Sequence, residues 1–194
     1  MCIRDRLLEI KDIYGQDRKS QISQDEGLLN REDMIKKEDV IVVLTDANYV
    51  KRMPVTEFRS QKRGGRGVNA ANFKEGDKAK LLVCAHTHDT ILCFSTKGKA
   101  FSIRVFDIPD TSRQARGKSI NNIFPLESDE SISAILAIKN FDENSYLFLT
   151  TRNGMVNRMS LSAFKKVRNS GLKAILLKNN DYLFNALHTS GDDK

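Results

Sequence analysis

The sequence predicts an all-β fold, built from propeller-like blades of about four strands each and preceded by a short N-terminal helix. Three observations support this prediction. Short runs of β-branched and aliphatic residues, separated by turn residues, fill the chain from Glu38 onward. These runs recur as a repeat of about 50 residues, and a pattern of helical period is confined to the first part of the chain.

The helical pattern covers Leu7–Tyr14, where apolar residues recur near the period of an α-helix. Gly15 follows it at a position where a helix can end. The next stretch, Gln16–Glu26, is polar and has no periodicity, as expected of a linker.

The second part of the chain is predicted to be all-β. Its apolar runs are short, rich in β-branched or aliphatic residues and bounded by turn residues, which is typical of strands. The runs are Val40–Leu44, Leu81–Ala85, Thr90–Phe94, Ile132–Ile138 and Tyr146–Thr150.

This β region contains three similar units. They superimpose when three turn positions are aligned, which are Asn48, Gly98 and Gly154. The same alignment matches Val55, Val105 and Leu161, then Phe58, Ile108 and Phe164, and finally the glycines Gly67, Gly117 and Gly171 that follow basic stretches. A repeat of about 50 residues is that of a propeller blade, whose sheet buries its faces against neighbouring sheets. Asn is suitable at the first turn because it tolerates the left-handed conformation.

The sequence after the third unit resembles the start of a further unit. Asn180–Thr189 is similar to Asp77–Thr87 of the first connection, and the chain stops at Lys194, where another blade is expected to begin. Three blades do not close a ring, so we expect an open sheet edge that further sequence would cover.

The composition indicates a globular protein with a polyanionic partner. The chain has 194 residues, of which 40% are hydrophobic, and a net charge of +7, which favours nucleic acid or, less often, a membrane surface. No apolar run approaches the ~20 residues that span a bilayer, and Met1–Arg6 is charged, unlike a signal peptide. The three cysteines Cys2, Cys84 and Cys93 are too sparse for a secreted disulfide framework. We therefore expect a cytoplasmic protein.

One loop combines three cations with three glycines at the end of the first unit. It is the heptapeptide Gln61, Lys62, Arg63, Gly64, Gly65, Arg66 and Gly67. Glycines let backbone N–H groups approach a phosphate closely, and the guanidinium forks of Arg63 and Arg66 can bind its oxygens bidentately. Such a loop binds the nucleic-acid backbone rather than reading bases. The alternative is a solvated turn whose glycines only supply positive φ.

The corresponding loops of the other two units are also basic. The further candidate contacts are Lys51 and Arg52 ahead of the heptapeptide, Arg113, Arg116 and Lys118 in the second unit, and Lys166 and Arg168 in the third unit, with Lys165 and Lys173 beside them. Clusters spaced one blade apart on one rim would make a curved positive track.

These segments resemble the C-terminal DNA-wrapping domains of gyrase A subunits. The heptapeptide QKRGGRG is similar to that family's signature box, and EDVIVVLTDANYVKRMPVTEFRS is similar to its first blade. LLEIKDIYGQDRKSQI resembles the end of its coiled-coil segment, and RVFDIPDTSRQARGKSINN resembles part of its second blade. The chain departs from the family in two ways, since Asn48 stands where the family usually has glycine and the later blades are absent. Met1–Arg6 does not resemble the family, and we interpret it as a fragment boundary or a sequencing artefact.

The resemblance implies a partial β-pinwheel. Residues 1–19 would end a coiled-coil helix, 20–37 would be a linker, and 38–194 would form the wrapping domain, with blades at about 38–87, 88–143 and 144–183 before the truncation. It implies sequence-independent binding and wrapping of double-stranded DNA within DNA gyrase, a type II topoisomerase that introduces negative supercoils with ATP. The implied partners are the gyrase B subunit and a second A subunit in a bacterial, nucleoid-associated enzyme. ATP and magnesium would serve the holoenzyme, and this chain would need no cofactor.

Two alternatives stay open. The A subunit of topoisomerase IV has a related, smaller pinwheel in which the box is typically degenerate or missing, so the intact heptapeptide favours gyrase. A propeller that recruits proteins would use its basicity only for solubility, and the clustering of cations at equivalent positions argues against this. RNA binding through the RGG motif is a further class, but a single motif between strands is unlike long disordered RGG repeats.

We expect no catalytic centre or metal site in this chain. None of Tyr14, Tyr49, Tyr146 and Tyr182 lies in the arginine–tyrosine context of a topoisomerase nucleophile, and there is no phosphate-binding GxxxxGK[ST] loop. Cys84, His86, His88 and Cys93 have the ligand types of a tetrahedral zinc site. Two buried thiols flanking a polar hairpin with exposed imidazoles is the favoured interpretation.

Overall fold

The computed structural model describes residues 3–16, 20, 31–57, 77–112, 114–178 and 180–191. The chain divides into two compact units, Met1–Met34 and Ile35–Lys194. No helix within the described ranges is long and apolar enough to cross a membrane. The heptapeptide Gln61–Gly67 and Arg113 lie outside the described residues.

The first compact unit, Met1–Met34, contains helix α1 (Ile3–Tyr14) and a short 3-10 helix, Arg31–Met34. The helix ends at Tyr14 as predicted, and the Gly15 N–H donates a hydrogen bond to the Lys11 carbonyl at 2.7 Å. The helix also covers residues ahead of the Leu7–Tyr14 pattern, and its first turn carries Asp5, which suits the positive end of the helix dipole. None of its residues is buried.

The second compact unit, Ile35–Lys194, contains the strands. They are β1 (Asp39–Thr45), β2 (Tyr49–Pro54), β3 (Ala79–His86), β4 (Thr90–Ser95), β5 (Lys99–Arg104), β6 (Lys118–Ser119), β7 (Ile132–Ile138), β8 (Tyr146–Thr151), β9 (Val156–Ser160), β10 (Leu172–Lys173) and β11 (Leu183–Thr189). The five predicted strands are confirmed as β1, β3, β4, β7 and β8. The prediction of an all-β fold with a short N-terminal helix is also confirmed.

Within the part of the chain that the structure describes, the strands form three antiparallel sheets. The first has the order β3-β1-β2-β6, the second β10-β5-β4-β7 and the third β11-β8-β9. The sheets do not coincide with the sequence units, since β6 of the second unit pairs with β2 of the first, and β10 of the third pairs with β5 of the second. The second and third sequence units therefore each supply an edge strand to the sheet of the preceding sequence unit.

The turn between the first two strands of each unit repeats in detail. Asn48 has φ 60°, Gly98 has φ 75° and Gly154 has φ 82°, so the aligned turn positions share the left-handed conformation. A hydroxyl three residues before each of them accepts a backbone N–H, in the pairs Tyr49 to Thr45, Lys99 to Ser95 and Met155 to Thr151, at 3.1–3.2 Å. This geometry supports the alignment of the three units.

Two apolar clusters separate the sheets, and β4 belongs to both. Ile91 and Cys93 pack with residues of the first sheet such as Val42, whereas Leu92 and Phe94 pack with third-unit residues such as Leu149. This alternation follows from the period of two residues along a strand. Every residue of β4 is buried, so the second sheet is covered on both faces.

Glycine is required where a chain crosses to the preceding sheet. Gly117 has φ 86°, and an added Cβ would lie 2.5 Å from the Val50 carbonyl oxygen. Gly171 occupies the same place one unit later with φ 85°, and its Cβ would lie 2.7 Å from the Phe101 ring. Both positions combine a left-handed backbone with a close approach that excludes a side chain.

Candidate nucleic-acid interface

Two of the three predicted contact residues of the second unit, Arg116 and Lys118, lie at the edge of the first sheet. Lys118 is exposed on β6, the edge strand. Arg116 is also exposed, and its guanidinium carbon lies 4.6 Å from the centroid of the Tyr49 ring. Such a cation–π contact orients a guanidinium over an aromatic face. Desolvation alone would raise the pKa of Asp77, but hydrogen bonds and the charge of Arg116 lower it overall.

Lys51 occupies a different environment from the one expected. Its side chain is 1% exposed, and its Nζ donates a hydrogen bond to the Ala115 carbonyl at 2.9 Å. Desolvation lowers its pKa, and the Glu57 carboxylate partly opposes this shift. The Lys51 ammonium is thus engaged within the protein, and direct contact of Lys51 with nucleic acid stays a prediction.

Arg52 also contacts the second unit. Its side chain is 15% exposed, and its Nη2 lies 3.8 Å from the Asp110 carboxylate. Its backbone N–H donates to the Pro109 carbonyl at 3.1 Å, and its own carbonyl accepts from the Thr111 N–H at 3.2 Å. Most of its side chain is thus withdrawn from a large ligand.

The predicted residues of the third unit, Lys166 and Arg168, follow a 3-10 helix, Leu161–Phe164. They line a cavity of about 920 Å³. Arg104, Lys139 and Lys165 line the same cavity, with the carboxylates of Asp107 and Asp142. Among the described residues, cations therefore outnumber carboxylates in its wall, which favours an anionic ligand.

Sequence reasoning did not identify Arg104 and Lys139. Arg104 ends β5 and pairs with Thr90, and Lys139 directly follows Ile138, which pairs with Thr90 from the other side. Arg104 Nη1 also donates to the Thr90 hydroxyl at 3.3 Å. The two cations reach the same cavity because β5 and β7 both flank β4, which no local motif indicates.

Other lysines are engaged in ion pairs. Lys97 Nζ lies 2.6 Å from both the Glu127 and the Asp129 carboxylates, and Lys99 Nζ lies 2.7 Å from Glu127. Hydrogen bonds from Lys97 and Lys99 lower the pKa of Glu127 to about 2. These lysines are compensated locally, so they contribute less to attraction of a polyanion than the exposed cations of the edge loops.

The cysteines and histidines are arranged differently from the favoured interpretation. Cys93 is buried, and desolvation raises its thiol pKa to about 12, but Cys84 is exposed on β3, an edge strand. His86 and His88 are half-buried, with ring centroids 5.7 Å apart. In the described part of the chain, no group of three His, Cys, Asp or Glu side chains is placed to hold a metal ion.

Comparisons with known proteins agree with this architecture. The profile of the family described as "DNA gyrase C-terminal domain, beta-propeller" matches residues 39–80, 89–139 and 145–190. The DNA gyrase A subunit of Neisseria gonorrhoeae is 46% identical over 191 residues, which is 98% of this chain and 21% of that protein. The chain thus spans about a fifth of the length of the curated relatives it matches, 21% for Aeromonas salmonicida as well.

Two solved structures share the fold. The C-terminal domain of DNA topoisomerase IV matches with a TM-score of 0.66 and 34% identity, over 81% of this chain and 48% of that chain. The DNA gyrase A C-terminal domain matches with a TM-score of 0.65 and 28% identity, over 78% of this chain and 48% of that chain.

These findings confirm the resemblance that the sequence motifs indicated, and they extend it. Because the alignment with the Neisseria protein covers 98% of the chain, it reaches into Met1–Arg6, which the motifs alone left outside. The family profile covers each of the three units that the turn positions define. The chain belongs to the family of DNA gyrase C-terminal domains, which are beta-propellers.

Proposed function

We propose that this chain binds duplex DNA through its phosphates and bends it across successive sheets, as the wrapping domain of a DNA gyrase A subunit. The observation that carries the proposal is the recurrence of cations at equivalent sheet edges. Arg116 and Lys118 lie at the edge of the first sheet, and the Lys165–Arg168 loop precedes β10, which is the edge strand of the second. Contacts repeated from sheet to sheet suit a backbone that continues in one direction.

Binding in this proposal depends on charge and not on base sequence. The candidate cations that the structure describes lie on loops and sheet edges rather than on a helix that could enter the major groove. The logarithm of the affinity should therefore fall linearly with the logarithm of the salt concentration, by orders of magnitude between ~50 and ~200 mM. Equal affinity at both salt concentrations would refute phosphate binding.

Wrapping requires contacts distributed along the DNA. Bending a site of 20–30 bp by 40–90° costs about 1–6 kcal/mol, which added phosphate contacts must offset. Replacing Arg113, Arg116, Lys166 and Arg168 by Gln should therefore reduce bending of a doubly labelled duplex, measured by fluorescence transfer, and leave residual binding through the heptapeptide.

The matched control removes the same charge from other exposed positions. Replacing Lys36, Lys78, Lys80 and Lys178 by Gln lowers the net charge equally but leaves the edge loops intact. If both quadruple variants bend DNA alike, the loops have no special role, and net charge alone explains binding. If neither the variants nor the unmodified chain bind plasmid DNA on a filter, a module that recruits proteins becomes the better candidate.

The heptapeptide is proposed as a further phosphate site. A side chain at Gly64 or Gly65 would push the backbone from the phosphate or block positive φ. Replacing both by Ala should weaken wrapping at unchanged melting temperature. An unchanged ability to wrap would support the plain turn.

The proposal extends to the enzyme of which this chain would be a part. Double-stranded DNA, the gyrase B subunit and a second A subunit are the proposed partners, within a bacterial cytoplasmic, nucleoid-associated gyrase that uses ATP and magnesium outside this chain. Residues 1–19, 20–37 and 38–194 are proposed as coiled-coil end, linker and wrapping domain. The relatives at 46% and 44% identity, both named as gyrase A subunits, support this assignment.

A topoisomerase IV A subunit is the second candidate, and one observation favours it. The solved C-terminal domain of topoisomerase IV is 34% identical to this chain, compared with 28% for that of gyrase A. The intact heptapeptide favours gyrase. To distinguish the two candidates, plasmid bound to the chain is relaxed with a topoisomerase and the protein is then removed. Only a gyrase-type wrap should leave a strong positive change in the linking number of the plasmid.

A further inference from the structure

We propose that Lys51 is a positioning residue, which holds the basic loop of the second unit on the first sheet and so sets the place of the Arg116 guanidinium. This inference rests on the proposed DNA binding. Lys51 itself does not touch DNA, because its side chain is 1% exposed and its Nζ donates to the Ala115 carbonyl.

The loop is fixed to β2 at both of its ends. At the start, the Thr111 N–H donates to the Arg52 carbonyl at 3.2 Å. At the end, β6 pairs with Tyr49 and Val50, and the Ile120 N–H donates to the Asn48 carbonyl at 2.8 Å. Between these ends lie Ser112 and the residues 114–117, which we call the arch, and the Lys51 ammonium donates a hydrogen bond to the Ala115 carbonyl within it. The Lys51 bond therefore limits how far the arch can move.

Two residues on one face of β2 hold successive parts of the arch. Tyr49 and Lys51 are two positions apart, so their side chains lie on the same face of the sheet. Lys51 holds the backbone at Ala115, and Tyr49 holds the next side chain, Arg116, by the ring contact at 4.6 Å. The loop backbone packs on the Lys51 stem, since a Cβ at Gly117 would lie 3.0 Å from Lys51 Cβ.

The equivalent positions in the other two units make contacts of other kinds, to the next unit in one case and within the same unit in the other. The turn alignment matches Lys51 with Phe101 and Asn157. Phe101 packs its ring against Gly171, and Asn157 Nδ2 donates to the Ala174 carbonyl at 3.3 Å. Because Phe101 fills this place by packing alone, the position does not need a charge for stability. The ammonium of Lys51 adds a directed bond to the arch.

The Lys51→Met variant keeps most of the apolar stem and removes the donor. Loss of one partner of a buried polar contact leaves the other unsatisfied and is destabilising, and here the Ala115 carbonyl loses the Lys51 ammonium. The variant should therefore stay folded with a lower melting temperature while it releases the arch. Backbone amide exchange near Ala115 should become faster, and tryptic cleavage after Arg116 should accelerate. Unchanged exchange and cleavage in a folded Lys51→Met chain would overturn the proposal without reference to DNA.

The DNA measurement uses a double-mutant cycle on the whole chain with a duplex of about 30 bp. If Lys51 acts through Arg116, then Lys51→Met, Arg116→Gln and the double variant should each lower the salt slope by about 0.9, the value for one lost phosphate contact. Additive losses in the double variant would overturn the proposal, because Lys51 would then act independently of Arg116.

A second pair of variants covers a Lys51→Met chain that fails to fold. Tyr49→Phe keeps the ring under Arg116 and should keep the salt slope, whereas Tyr49→Leu should lower it by about 0.9. Equal slopes for Phe and Leu would overturn the role of this β2 face. If the unmodified chain does not bind DNA, the proposed function fails, and the exchange and cleavage measurements still decide whether Lys51 holds the arch.

Discussion

Replacement of Gly117 by alanine tests the strand exchange that joins the first two units. Gly117 has φ 86°, and an added Cβ would lie 2.5 Å from the Val50 carbonyl oxygen and 3.0 Å from Lys51 Cβ. The carbonyl oxygen belongs to β2, which pairs with β6 directly after Gly117. The close contact cannot be relieved without moving one paired strand away from the other.

The expected loss of stability has two parts. An L-residue in the left-handed conformation costs about 1–2 kcal/mol relative to glycine. Forcing extra volume into a packed region costs about 1–3 kcal/mol more. Gly154 provides the matched control, because it has φ 82° but nothing within 4 Å of an added Cβ. Gly154→Ala should therefore lose only the conformational part, about 1–2 kcal/mol.

Urea unfolding followed by circular dichroism measures both variants. Gly117→Ala should be less stable than Gly154→Ala by about 1–3 kcal/mol, which is the contact term alone. At a temperature where both are folded, Gly117→Ala should also bind DNA more weakly, since β6 carries Lys118. Equal losses of stability in the two variants would refute the close approach and, with it, the account of why glycine recurs at Gly171.

Three further predictions concern single side chains. With Cys2 replaced by Ser, a thiol reagent should label exposed Cys84 quickly and Cys93, whose pKa is raised to about 12, only on unfolding; similar rates would contradict the burial of β4. The pKa of Glu127 is lowered to about 2, so its contribution to stability is present above its unfolded pKa of ~4.3 and is lost as the pH falls toward 2. Glu127→Gln should flatten the melting temperature over that range, and an unchanged acid profile would exclude the ion pairs. Asn48→Gly should preserve or raise stability, and Asn48→Ala should lower it in urea unfolding by less than Gly154→Ala does, because φ is 60° and Asn tolerates this conformation better than Ala; the reverse order would contradict the left-handed turn.

Most of the fold could be predicted from local sequence patterns. The turn positions Asn48, Gly98 and Gly154 were recognisable because few residues adopt positive φ, and the structure has all three in that conformation. The apolar runs of β1, β4 and β8 were recognisable because strands buried in a core are rich in apolar residues, and β4 is buried along its whole length. Both signals are set within a few residues of the position concerned.

Long-range features were not predictable in this way. β6 and β10 have two residues each, too few for any pattern, and they join a sheet formed by the preceding unit. The burial of Lys51 follows from that exchange, since Ala115 reaches it from the next unit. The exposure of Cys84 follows from the edge position of β3, which its apolar sequence did not reveal.

Strand exchange also connects the assembly of the sheets with the candidate interface. The arch that carries Arg116 is closed by β6, and β6 exists as a strand only through its pairing with Tyr49 and Val50. The third unit repeats the arrangement, because its basic loop leads through Gly171 into β10 on the edge of the second sheet. The cations of each loop are therefore placed by the sheet of the unit before it. A duplex bound by these loops would pull on the strand pairs β2–β6 and β5–β10 that connect the units. Loss of one of these pairings should therefore weaken DNA bending more than a mutation elsewhere in the sheets that lowers stability equally.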